Sequence, residues 1–149
     1  MELKVGSQAP NVQTKNQNGE DVDFSLLRGR KIILYFYPKD NTPGCTSQAC
    51  NLRDNYDKLM NDGYLLFGIS PDSEKSHKKF IEKFQLPFDL LIDEDHKIAE
   101  SYGVWVEKQM YGKQYMGIAR TTFIIDSNGM IEEIIQKVDT KNHFEQIIR

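Results

Sequence analysis

The chain holds few of the residues that would make its fold depend on anything beyond packing. Its 149 residues include two cysteines, one tryptophan and three histidines. Two thiols cannot build the disulfide framework of a small secreted protein. A four-ligand zinc site would need histidines beside them, and His77, His96 and His143 are scattered, with no pair at ligand spacing. There is no excess of positive charge: 19 Lys and Arg against 22 Asp and Glu leave a net charge of −3. That balance offers no electrostatic reason to expect nucleic acid or an anionic membrane as a partner. The apolar runs at 32–37 and 64–69 fall far below the ~20 residues of a membrane-spanning helix. The first residues lack a basic stretch followed by an apolar one, so a cytoplasmic location is expected.

What is present fits one domain over residues 1–149. A chain of this length buries roughly 68–70% of its unfolded surface, enough to need no staple. No repeat, low-complexity tract or linker interrupts it. Weak strand signals flank Asn18-Gly19, a favourable two-residue hairpin turn, and 25–29 reads as a helical turn stopped by Gly29. Residues 31–37 (KIILYFY) form a β-branched and aromatic run, the pattern of a strand buried on both faces. Thr42 then offers an N-cap and Pro43 the first helical residue, opening a helix that runs to about Asn61. Strands at 64–69 and 88–92 alternate with helices at 73–84 and 96–102. A strand at 121–125 turns at Ser127-Asn128-Gly129 into 130–138, before a last helix at 142–148. This order predicts an α/β fold with a central mixed sheet, flanking helices and an N-terminal hairpin, compatible with the thioredoxin-like topology.

The segment Tyr37-Pro38-Lys39-Asp40-Asn41-Thr42-Pro43-Gly44-Cys45 carries the chemistry. Cys45 falls in the first helical turn just past a buried strand, where unpaired backbone N–H groups and the helix dipole favour a thiolate. Ligand sites of α/β sheets concentrate at such turns. Cys50 lies five positions on, about 500° around the helix, with its Cα about 8.7 Å from that of Cys45. A disulfide needs the two within about 7 Å. Bonding therefore requires the first turns to unwind; the alternative is that Cys50 is a small core residue. On residue type alone, Thr42 could be a cap, Pro38 a turn residue, and Arg120 an ordinary surface arginine. The run Asp93-Glu94-Asp95 reads as a solvated turn and cap. Glu107, Lys108 and Lys113 read as solvated charges, and Trp105, Tyr111, Tyr115 and Met116 as packing residues of a loop or hairpin.

The spacing Pro38-x-x-x-Thr42-x-x-Cys45 resembles the active-site signature of the peroxiredoxins. The string YPKDNTPGCTSQACNLRD is similar to the peroxiredoxin Q or bacterioferritin comigratory protein branch. The likeness continues at Gly68-Ile69-Ser70-Pro71-Asp72, at 91–96, at Tyr102-Gly103-Val104-Trp105 and at 120–126. It implies a thioredoxin fold and thiol-dependent reduction of hydrogen peroxide and organic hydroperoxides. It makes Cys45 the peroxidatic cysteine, Cys50 its resolving partner, Thr42 a ligand of the reacting oxygens, Pro38 their shield and Arg120 the cation completing the pocket. No flavin, haem or metal is implied; the reductant is a thioredoxin-like protein. An intramolecular resolving thiol removes the need for a dimer, so a monomer is expected. A general thiol–disulfide oxidoreductase and a copper–thiol chaperone are the rival readings. The five-residue cysteine step and Arg120 argue against the first, and the lack of a histidine beside either thiol in sequence against the second.

Overall fold

A computed structural model describes residues 2–148. At its centre lies Lys31–Phe36 (β3), whose last five residues are all buried. Even-numbered Ile32, Leu34 and Phe36 face one hydrophobic cluster, and Ile33 and Tyr35 face another. That is the period-two alternation of a strand with both faces covered. Tyr64–Ser70 (β4) and Asp89–Ile92 (β5) extend the sheet in parallel on one side. Thr121–Ile125 (β8) and Ile131–Ile135 (β9) extend it antiparallel on the other, giving the order β5-β4-β3-β8-β9. The predicted mixed sheet is thus present, with parallel strands joined through helices and antiparallel ones through a tight turn.

One face is covered by Pro43–Asp54 (α1), Tyr56–Asn61 (α2), Glu74–Phe84 (α3) and His143–Ile147 (α5). Ala49 and Leu52 of α1 and Leu59 of α2 are fully buried there. The opposite face carries the 3₁₀ turn Phe24–Leu27 and the short helix Lys97–Ser101 (α4). Two small antiparallel pairs stand apart from the main sheet. They are the N-terminal hairpin Gln13–Lys15 (β1) with Asp21–Asp23 (β2), and Trp105–Met110 (β6) with Lys113–Ile118 (β7).

Three local expectations are corrected. The hairpin does not turn on two residues. The Asn16 N–H donates to the Glu20 carbonyl at 2.9 Å, leaving 17–19 as the loop. Asn16 Oδ1 meanwhile accepts from the N–H groups of Asn18 and Glu20. Gly19 is the loop residue with φ +74, a conformation that costs a glycine nothing. The helix expected to reach Asn61 breaks at Asn55, whose side-chain amide donates to the Asn51 carbonyl at 2.8 Å and competes with the backbone ladder. Thr42 does occupy the N-cap position, but its hydroxyl does not cap. It donates backwards to the Lys39 carbonyl at 2.9 Å.

Candidate active site

Cys45 is the third residue of α1 and is 2% exposed. Its Sγ accepts a hydrogen bond from Arg120 Nη2 at 3.3 Å. Arg120 comes from just before β8, the strand beside β3, so the sheet itself brings residues 75 positions apart together. The other guanidinium nitrogen, Nη1, donates to Gln48 Oε1 at 2.7 Å. Gln48 lies one helical turn past Cys45 and is fully buried, with its Nε2 unpartnered among the described residues. Gly44 packs closely under the cation: a Cβ there would lie 3.3 Å from Arg120 Nη2. Pro38 and Thr42 are half-buried in the loop leading into α1. Arg120 is thus in direct contact with the thiol.

Cys50 is half-buried, and both cysteines are free thiols on an unbroken helix. The helical geometry that separates them is intact. Thr46 N–H donates to the Thr42 carbonyl at 2.8 Å, closing the first turn. On the far side of the turn, Asp40 is fixed by a dense network. Oδ1 accepts from the Tyr37 hydroxyl at 2.6 Å; Oδ2 accepts from Ser76 Oγ at 2.8 Å and faces His77 Nδ1 at 2.7 Å. The Asp40 N–H donates to Asp72 at 2.8 Å. The other ring nitrogen of His77 faces the Leu91 carbonyl at 2.7 Å. Both ring nitrogens of the fully buried His77 are thus engaged. Burial first, then the Asp40 charge, pushes the Tyr37 phenol well above its usual range, so it remains a donor. Asp40, Asp72 and His77 are close enough to hold a metal, but the facing atoms already bond one another and their neighbours.

Two functional features escaped the sequence reading. The Asp40–His77 link joins a loop to a helix 37 residues away, and nothing in the local pattern signals it. Lys108, read as a solvated charge, is half-buried on β6. Its stem packs over Gly117, with Cδ 3.3 Å from where a Cβ on that glycine would stand. Burial, then repulsion from Arg120, lowers its pKa, while a Cys45 thiolate opposes that. Trp105, read as a packing residue, is half-buried. It stacks flat on His96, with ring centroids 3.9 Å apart.

A buried thiol with a guanidinium on its sulfur, at the start of a helix, decides the comparison with known proteins. Residues 5–134 match the AhpC/TSA family model. The chain belongs to that family. It is 44% identical to peroxiredoxin Bcp of Bacillus subtilis over all of this chain and 95% of that protein. It is 45% identical to peroxiredoxin Bcp of Escherichia coli K12, over 98% of this chain and 94% of that one. Peroxiredoxin Q of Xanthomonas campestris superposes with a TM-score of 0.88 at 31% identity, over 97% and 92% of the two chains. Peroxiredoxin Q of Xylella fastidiosa superposes at 0.92 with 28% identity, over 99% and 94%. The fold is the thioredoxin-like one of these peroxiredoxins, and the chain is a thiol-dependent peroxidase of their Bcp and Q branch.

Proposed function

We propose that Cys45 is the peroxidatic cysteine, Arg120, Thr42 and Pro38 its pocket, and Cys50 the thiol that closes the cycle. The observation that carries the reading is the 3.3 Å contact from Arg120 Nη2 to Cys45 Sγ. Thiolate formation alone is too small an effect. A thiol already about 3% ionised at pH 7 gains at most ~30-fold, about 2 kcal/mol, from complete ionisation. The larger contribution is stabilisation of charge moving onto the leaving oxygen as the O–O bond stretches. Arg120, held in place by Gln48, supplies that charge. Thr42 Oγ has its own proton committed to Lys39 and so offers lone pairs to the hydroperoxide O–H.

In the first step the Cys45 thiolate attacks the terminal oxygen. An S–O bond forms, the O–O bond breaks, and the leaving oxygen takes up a proton to become water or an alcohol. Cys45 is left as a sulfenic acid. The first turns of α1 then unwind, the Cys50 thiolate attacks the Cys45 sulfur, and the sulfenic oxygen leaves as water. Losing a few backbone hydrogen bonds costs about 0.5–1.5 kcal/mol each, which bond formation offsets. A thioredoxin-type dithiol protein supplies two electrons and returns both thiols. The enzyme acts as a single-domain monomer, and in the cytoplasm, where such dithiols are kept reduced. No helix among the described residues is long and apolar enough to cross a membrane.

Rapid mixing of reduced protein with one equivalent of hydrogen peroxide, followed by mass mapping of quenched cysteines, tests the scheme. One Cys45–Cys50 disulfide is expected. Cys45→Ser should abolish turnover. Cys50→Ser should react once and accumulate sulfenic or sulfinic acid, and its normal turnover with thioredoxin would remove Cys50 from the cycle.

A further inference from the structure

The helix beside the thiol carries a row of cations that the peroxide chemistry does not use. Lys75, Lys79 and Lys83 recur every fourth residue of α3, so they share one face and span about 12 Å. All three are exposed. None has an ion-pair partner among the described residues. Lys83 Nζ donates to Asn41 Oδ1 at 3.3 Å, which brings the row against the loop preceding α1. The three lysines, Asn41 and Ser76 line an open cleft of about 530 Å³. The acidic residues nearby do not neutralise it. Asp40 at its floor is buried and committed to Tyr37, Ser76 and His77. Glu74 leans away, with Oε1 3.0 Å from where a Cβ on Gly19 would stand. Glu82 is exposed on the same helix but outside the cleft lining. In a chain of net charge −3, this row is a local inversion of sign.

Helix periodicity places Cys50 on the side of α1 nearer α3 than α5. Counting about 100° per residue from Cys45, Gln48 lies near 300° and Asn51 near 240°. Gln48 meets Arg120, and Asn51 Oδ1 accepts from the Phe144 N–H at 2.7 Å, so that side of α1 faces β8 and α5. Arg53, near 80°, donates to the Phe84 carbonyl of α3 at 2.8 Å. Cys50 lies near 140°, on the α3 shoulder of the helix.

We propose that the Lys75–Lys79–Lys83 row docks the reductant: a dithiol protein whose reactive thiols are rimmed by acidic residues. The proposal rests on the reading above that a dithiol protein reduces a Cys45–Cys50 disulfide. The docked thiolate attacks the Cys50 sulfur and forms a mixed disulfide, while Cys45 leaves as a thiolate beside Arg120. The partner's second thiol then attacks its own sulfur in that mixed disulfide and releases the Cys50 thiolate. Two electrons pass from the dithiol, and the partner leaves as a disulfide. Attack on this sulfur is favoured because the better-stabilised thiolate is the better leaving group. The anchoring of Asp40 to α3 keeps the row in place while α1 opens.

The test compares two reductants acting on the full chain. One is an acidic bacterial thioredoxin recycled by its reductase and NADPH, and the other is dithiothreitol. Replacing the row with glutamate (K75E, K79E and K83E together) should lower kcat/KM for thioredoxin about tenfold or more, the scale of electrostatic steering. Dithiothreitol-driven turnover and the rate of the peroxide step should stay unchanged, which also reports a folded pocket. Raising salt from 20 to 200 mM should slow the wild-type reaction with thioredoxin and leave the variant's nearly flat. Equal thioredoxin kinetics in the two proteins would overturn the docking surface, including the case in which the row serves another polyanion. If dithiothreitol sustains wild-type turnover and thioredoxin does not, the reductant reading itself falls, and the docking proposal with it.

Discussion

Asp40 and Thr42 are two residues apart and are held in opposite ways. Asp40 is buried, takes three hydrogen bonds on its carboxylate and gives its N–H to Asp72. Thr42 is half-exposed, and its hydroxyl bonds only to Lys39 within the same loop. The contrast is repeated at the other end of the segment. Beyond Cys50, α1 is pinned by Asn51 to α5, by Leu52 in the core and by Arg53 to α3. The stretch between the pins is short and contains both thiols; besides its helical hydrogen bonds it is held by Arg120 on Cys45 and Gln48 and by buried Ala49. What can move is therefore bounded by what cannot, and local opening of residues 42–50 leaves the sheet untouched.

Removing a pin should have the largest effect. Asp40→Ala leaves donors of Tyr37, Ser76 and His77 without their acceptor, and each buried polar group left unpaired costs about 1–3 kcal/mol. Urea unfolding would measure it, and a loss under 1 kcal/mol would mean that the network is not an anchor. Arg120→Leu should cost about 1–3 kcal/mol of stability, because buried Gln48 Oε1 loses its donor, and should slow the first oxidation about 10²–10³-fold, the usual range for one donor at a developing charge. Stopped-flow mixing with peroxide reads that rate directly.

The link beneath Arg120 is sensitive to pH. His143 is buried, with Nε2 2.8 Å from Thr122 Oγ1 and Nδ1 2.7 Å from Gln146 Oε1. Burial pushes its pKa below the ordinary value, opposed by the Gln146 contact. The unfolded chain therefore binds a proton that the folded one resists. This contribution is full above about pH 6.5 and is lost as pH falls below it, by at most about 1.4 kcal/mol per unit. Unfolding midpoints at pH 7.0 and 5.5 should converge in His143→Gln; an unchanged difference would assign the acid sensitivity elsewhere. The smallest expected effect is on the movable side. Thr46→Ala with Ser47→Ala strengthens the first turn by about 1 kcal/mol and should slow disulfide formation about fivefold, leaving the peroxide step alone. Slowing of both steps equally would show that opening precedes oxidation.

The sequence made the movable side plain and the fixed side invisible. Thr42, Pro43, Cys45 and Cys50 lie within nine residues, so helix geometry alone relates them. Residues 31–37 announce a central strand because both faces need apolar side chains. Arg120 needed a family resemblance to be chosen over other arginines, since its contact to Cys45 spans 75 positions. Asp40 with His77, and Lys108 over Gly117, had no such signal: each depends on how two elements pack. Gln48 was overlooked for a different reason. A glutamine in a helix usually points to water, and only Arg120 gives it a reason to be buried.

Gly44 ties the pocket to its own timing. In the proposed cycle a sulfenic acid on Cys45 would face a race: capture by Cys50 would return it to the cycle, and a second molecule of peroxide would carry it to the sulfinic acid. Glycine in a helix is about 0.8–1.0 kcal/mol less favourable than alanine, so opened chains are roughly four- to fivefold more populated than they would be with alanine there. The missing methyl at the position packed under the Arg120 guanidinium would thus also shorten the time the oxidised sulfur spends within reach of more oxidant.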